Sequence, residues 1–145
     1  MEHAPYGVRP VGRVESPLTD RASAPKQPDE GAPPAVVVLA AEYREAARDL
    51  RPGDAVLVLT WLDRADREVL TVHPRGRPER PETGVFSTRS PDRPNPVGLH
   101  RVTVTAVDGP RVHVDALEAL DGTPVIDLKP ARGCRTGPAR GDVPG

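Results

Sequence analysis

The alternation of apolar and polar residues along the chain predicts short strands joined by proline-rich turns. Val8 to Glu15 mixes valine with arginine and glycine and reads as a first strand; Val36 to Leu39 reads as a short buried one. Ala41 to Leu50 places Tyr43, Ala46, Ala47 and Leu50 on one helical face. That helix should stop before Arg51-Pro52-Gly53, because proline disfavours helical geometry in the residue preceding it. Ala55 to Leu62 is nearly continuously apolar and predicts a central strand, with Val69 to Val72 and Gly84 to Thr88 as two briefer ones. Arg101 to Val107 alternates with period two, which points Val102, Val104 and Ala106 to one side. Arg111 to Leu117 does the same with Val112, Val114 and Ala116, and Asp108-Gly109 between the two predicts a hairpin turn. Pro124 to Leu128 ends the series. About seven short strands and one helix predict an all-β (mainly β) fold, a small single-sheet barrel or strongly curved sheet. A doubly wound α/β fold is excluded, since strands and helices do not alternate. The expected organisation is one barrel domain over residues 8–130 and a short irregular tail over residues 131–145.

Composition tightens this picture. A chain of 145 residues suits a single domain. Valine, leucine, isoleucine and phenylalanine together number 32, no more than the 32 prolines and glycines, and only four residues are aromatic. The core must therefore be modest and filled by valine, which favours strands. A net charge of −1 removes self-repulsion as a cause of disorder and encodes no general attraction to nucleic acid. No apolar run approaches the roughly 20 residues that span a bilayer, and Met1 to Pro10 lacks the apolar centre of a secretory signal. A cytoplasmic protein is expected. Cys134 is the only cysteine, which excludes an intrachain disulfide and a cysteine zinc site. His3, His73, His100 and His113 are scattered without ligand spacing, so no metal is expected.

The densest chemistry lies in residues 84–100, GVFSTRSPDRPNPVGLH. Arg89 and Arg93 fall where a strand runs out into a loop, and Pro91, Pro94 and Pro96 fix φ around them. A loop stiffened in this way loses little entropy when it orders on a ligand. Its arginines suit a carboxylate, a phosphate or stacking on a base, and Asn95 offers both a donor and an acceptor. The plainer reading is a proline-rich turn whose arginines are merely solvated. Taken alone, Trp61 and Leu99 are expected in the core, His100 at an exposed edge, and His113 facing solvent between Val112 and Val114.

The segment GVFSTRSPDRPNPVGL resembles the signature of the TsaA-like/TrmO family of S-adenosylmethionine-dependent tRNA methyltransferases. Three further stretches are similar to that family: PVGRVESP (Pro10 to Pro17), APKQP (Ala24 to Pro28) and ALDGTPVIDLKP (Ala119 to Pro130). The resemblance implies a compact TsaA-like β-barrel, usually a homodimer, that binds S-adenosyl-L-methionine without a Rossmann fold. The chain agrees in having no G-x-G-x-x-G that opens a helix. It further implies methyl transfer to N6 of threonylcarbamoyladenosine in tRNA. Carried over position by position, cofactor contacts are implied for Pro25, Lys26 and Gln27, for Leu62 and Asp63, for Arg89 and Leu99, and for Glu118, Ala119, Leu120 and Asp121. Family members often have a histidine or similar polar residue where Leu62 stands, which implies a backbone contact there.

No catalytic residue is implied. The methyl donor is already activated, so alignment of the reactants and exclusion of water carry most of the work. Asp63, Glu118 and Asp121 are candidates to orient an amine or to complement the positive sulfur. Longer members carry a C-terminal extension that contributes to tRNA engagement, whereas 15 residues follow Pro130 here, and the family's KPY step reads Lys129-Pro130-Ala131. The alternative is therefore an S-adenosylmethionine-binding module or a small-molecule methyltransferase lacking tRNA activity. Any steering of tRNA falls to local patches: five arginines against three acids in residues 73–96, and Arg132, Arg135 and Arg140 in the tail.

Overall fold

The computed structural model describes residues 6–20, 31–74 and 77–131. Eight strands form: β1 (Gly12–Glu15), β2 (Ala35–Leu39), β3 (Ala55–Trp61), β4 (Thr71–Val72), β5 (Thr83–Gly84), β6 (Val97–Asp108), β7 (Arg111–Val114) and β8 (Pro124–Pro130). Six of them close a barrel in the order β1-β2-β7-β6-β3-β8, every neighbouring pair antiparallel, while β4 and β5 make a separate two-stranded ribbon. The expected mainly-β barrel is thus the observed one. Period-two alternation explains its interior. Val14, Val37, Val56, Val58, Val102, Val104, Val112, Val114 and Val125 point inward and are fully buried, each contributing on the order of 1.5–3 kcal/mol by leaving water. Valine suits this role because a narrow barrel needs small branched side chains that already favour strand geometry.

β3 is apolar on both faces for a local reason. Val56, Val58 and Thr60 fill the barrel, while Leu57, Leu59 and Trp61 lie half-buried on its outside. Trp61 is therefore not a core residue as expected; Arg67 lies over its ring, 5.2 Å from the centroid.

Several expected boundaries move. The first strand starts only at Gly12, and the expected helix is a 3-10 turn over Ala41–Ala47 with no buried residue. Ala40 supplies no capping side chain, and the bonds from Tyr43 N–H to Ala40 O and from Arg48 N–H to Glu45 O tighten the segment to an i to i+3 pattern. Of the strand expected over Gly84 to Thr88 only Gly84 is in a strand (β5), and a 3-10 turn (Val85–Ser87) anchored by buried Val85 follows it. β6 begins at Val97 rather than Arg101, immediately after the last proline of the loop, where ladder donors become available again. A register shift between Val104 and Ala106 inserts an extra residue opposite β7, so Ala106, expected inward, is exposed. β7 ends at Val114. Asp115 then exchanges bonds with Thr103 through its amide and its carboxylate, and Leu117 rather than Ala116 becomes the fully buried residue. Among the described residues no helix is long and apolar enough to cross a membrane.

Candidate functional site

Antiparallel closure gathers the motif-bearing loops at one end of the barrel. β3 runs out at Trp61 where β6 begins at Val97, and Leu62 N–H donates to Pro96 O at 2.8 Å. On the other side of β3, Thr60 pairs with Val125 of β8. The turn before β8 is tied to the end of β1: Asp121 N–H donates to Leu18 O and Gly122 N–H to Val14 O, each at 2.7 Å, while the Asp121 carboxylate accepts Ser16 N–H at 3.0 Å. β2 starts and β7 ends at this end too, with Ala35 opposite Val114. Leu62, Asp63, Leu99 and residues 118–121 thus share one rim. Pro25, Lys26 and Gln27 lie outside the described residues.

The two arginines of the motif do different work. Arg93 turns back, and its Nη1 donates to Thr88 O at 2.9 Å and Ser90 O at 3.0 Å, the carbonyls on either side of Arg89. Arg89 is exposed, yet its positive charge reaches the imidazole of His100. Behind this loop, Arg67 Nε donates to Pro94 O at 2.7 Å and its Nη2 to Asn95 Oδ1 at 3.1 Å, and Asp66 N–H donates to Asp92 Oδ1 at 2.9 Å. The loop is therefore clamped from both sides, and Arg89 on it stays exposed. Arg93→Ala is expected to free the loop. Amide hydrogen exchange should quicken at Thr88 and Ser90 while global stability drops by no more than about 1–3 kcal/mol, the range for charge-assisted hydrogen bonds.

The other expected site residues are placed as follows. Leu99 is not in the core; it is 42% exposed on the outer face of β6, beside Val97 at 39%. Leu62 is half-buried, with its N–H engaged by Pro96 and its carbonyl accepting Ala65 N–H at 3.0 Å, so its backbone offers a ligand only the remaining lone pair. Asp63 and Asp121 are exposed, Glu118 and Leu120 half-buried and Ala119 buried. His113 is half-buried and lines a groove of about 640 Å³ with Glu15, Ser16, Pro34, Thr105 and Asp121. That groove meets the rim at Ser16, Pro17, Ala35, Val114 and Asp121, and reaches none of Leu62, Arg89 or Leu99. Arg111 donates to both oxygens of Glu15, which lines the groove, at 2.8 and 3.2 Å. The Arg111 hydrogen bond holds the Glu15 carboxyl below the usual range, so Glu15 is a fixed anion rather than a proton carrier.

His100 departs most from expectation. It is 7% exposed inside the barrel mouth, where its Nε2 lies 2.8 Å from Thr60 Oγ1. Its Nδ1 is buried without a hydrogen-bond partner. Burial, and then the charge of Arg89, push its pKa down to about 4, so the ring is neutral at physiological pH. Gly98 makes room for the pair: a Cβ there would run into Thr60 Oγ1 and sit 2.6 Å from His100 Nε2 and 3.3 Å from Leu62 Cδ2. A buried donor left without a partner costs about 1–3 kcal/mol.

A family model described as the tRNA-methyltransferase O N-terminal domain matches residues 13–132. The chain belongs to this family. Among proteins that the chain is similar to, a probable S-adenosyl-L-methionine-binding protein of Methanothermobacter thermautotrophicus is 46% identical over 123 residues, covering 85% of this chain and 88% of that one. An S-adenosyl-L-methionine-binding protein of Archaeoglobus fulgidus is 40% identical over 122 residues, covering 84% and 86%. A solved structure of TrmO superposes with a TM-score of 0.70 at 28% identity, covering 100% of this chain and 67% of that one. TrmO from Pseudomonas aeruginosa does so at 0.71 and 26%, covering 98% and 65%. The chain thus spans about two thirds of the length of these solved TrmO chains. The rim identified above belongs to the region matched by the family model, as do Arg93 and the residues that the motif did not point to, Thr60, Arg67 and His100. Their signal was present: extending the Val102–Val104 alternation backwards places His100 and Gly98 on the inner face.

Proposed function

We propose that this chain binds S-adenosyl-L-methionine at the rimmed end of the barrel and transfers its methyl group to N6 of threonylcarbamoyladenosine in tRNA. When bound, the cofactor supplies a methyl carbon already activated by its positive sulfur. The donor set fits it. An exposed guanidinium (Arg89) on a clamped loop suits the carboxylate of an amino acid; exposed Leu99 and Val97 offer apolar surface outside the barrel; Asp63 and Asp121 suit an ammonium or a sulfonium. The observation that carries the reading is the Arg93 clamp, which fixes the backbone on both sides of the exposed Arg89. The protein's part in the transfer is to align the reactants and exclude water; the nearest imidazole, His100, is buried and is not assigned the amine proton.

The reading includes a cytoplasmic homodimer. The outer face of β3 and β6 carries Leu57, Leu59, Val97 and Leu99 with no element of this chain fully covering them, and a second copy would bury that surface. The second reading is a module that binds the cofactor without tRNA methylation. It is favoured by the names of the M. thermautotrophicus and A. fulgidus relatives, which state binding alone. Arg89→Ala is expected to weaken S-adenosylmethionine binding by about 10- to 100-fold, as loss of a charge-assisted contact predicts. Unchanged affinity by isothermal titration would remove Arg89 from the site. Labelled-methyl incorporation into threonylcarbamoylated tRNA separates the two readings: incorporation supports the methyltransferase, and tight cofactor binding without incorporation supports the module.

A further inference from the structure

We infer that His100 is an additional ligand-binding residue, whose buried Nδ1–H donates to an uncharged acceptor on the adenosyl part of the cofactor. The inference rests on the cofactor reading above. Three observations bring it out. First, the Thr60–His100 pair sits inside the barrel towards the end that carries Arg89, Leu62 and residues 118–121, Thr60 one residue in from the end of β3 and His100 three residues in from the start of β6. Second, the pair satisfies only one ring nitrogen, leaving Nδ1 buried without a partner among the described residues. Proton counting then assigns the tautomer. If Nε2–H donated to Thr60 Oγ1, both the hydroxyl proton and the Nδ1 lone pair would lack partners. With the hydroxyl donating to Nε2, only Nδ1–H is left over, so the waiting group is a donor. Third, the site is built for this arrangement, since any side chain at position 98 would displace the ring and the hydroxyl together.

The same observations select the acceptor. Arg89 is the charged group whose field reaches His100, and a carboxylate arriving at the rim is drawn to that guanidinium. A neutral imidazole donor in an apolar barrel is matched instead to a purine ring nitrogen or a ribose oxygen. Nδ1 is shielded from solvent, and the Leu62 side chain lies beside the Gly98 gap, next to the Thr60–His100 pair.

Two substitutions separate ligand binding from structure, because asparagine reproduces the position of Nδ1 and glutamine that of Nε2. His100→Gln keeps the bond to Thr60 and removes the waiting donor; it is expected to weaken S-adenosylmethionine and S-adenosylhomocysteine binding by about tenfold each in isothermal titration. His100→Asn keeps the donor and is expected to bind both within about threefold of wild type. Equal affinities of His100→Gln and wild type, the reverse order of the two variants, or a loss confined to S-adenosylmethionine would overturn the assignment. Wild-type protein that binds neither ligand would instead overturn the cofactor reading itself. Should either variant fail to fold, the wild-type imidazole proton–nitrogen spectrum gives the answer: S-adenosylhomocysteine shifts the Nδ1–H resonance of His100, and an unmoved resonance in a saturated complex overturns the inference.

Discussion

Gly12→Ala is expected to destabilise the fold by about 3 kcal/mol, the upper part of the range for overpacking and a large fraction of a small domain's stability. The thermal midpoint should fall by roughly 10 °C. Gly12 opens β1, the strand that closes the barrel, and it pairs with Leu39 on one side and Val125 on the other. A Cβ there would run into Val38 O and lie 3.1 Å from Leu39 Cα. Both are backbone atoms of the neighbouring strand, so no rotamer change relieves the clash; β1 itself must move. Only four residues long, β1 has little other pairing with which to resist. The damage reaches the site, because the end of β1 holds Asp121 through the Ser16 and Leu18 backbone. Cofactor affinity should therefore drop along with stability. Gly84→Ala is the control, since nothing lies within 4 Å of its Cβ position; it should stay within about 0.5 kcal/mol of wild type. Urea titration of both variants checks the pair, and a stable Gly12→Ala protein would mean that the barrel closes without β1 in this register.

Much of the architecture was legible because a small barrel leaves a strict period-two trace. The inward valines of β6 and β7 can be read directly, and so can the Asp108-Gly109 turn, where Gly109 has a φ of 58°. What escaped reading did so for identifiable reasons. Trp61 and Leu62 sit at the end of a run apolar on both faces, so alternation could not say which side turned inward. Ala106 and Ala116 were misassigned because the extra residue near Thr105 and the Asp115–Thr103 exchange each change the phase of the alternation, and neither has a local signature. The motif was visible, but its division of labour was not. Arg89 and Arg93 look equivalent in sequence, and only the folded shape of the loop has Arg93 turn back on it while Arg89 stays exposed. His100 was expected at an exposed edge because the strand was begun at Arg101; four residues of strand preceding that point place the ring inside.

The acid sensitivity of the protein should be traceable in large part to His100. Above pH 6.5 the imidazole is neutral in both the folded and the unfolded chain, and it contributes no pH dependence. Between pH 6.5 and about 4 the unfolded chain takes up a proton that the folded barrel refuses, because burial and the Arg89 charge hold the folded pKa at about 4. Stability is therefore fully present above the unfolded value and is lost as pH falls towards the folded one, to the extent of about 3 kcal/mol across the window. Carboxylates add to the acid loss; Glu15 does so in the same direction as its depressed pKa is approached. The comparison that isolates the histidine is a double difference. Wild type and His100→Gln share every other titrating group, so the stability of the variant relative to wild type should rise by about 2–3 kcal/mol between pH 7 and pH 4.5. Urea unfolding at the two pH values measures this directly. A constant difference would mean that the imidazole takes its proton in the folded barrel as readily as in the unfolded chain. A solvent-reachable Nδ1 would follow, and with it loss of the dry, neutral donor that the proposed adenosyl contact requires.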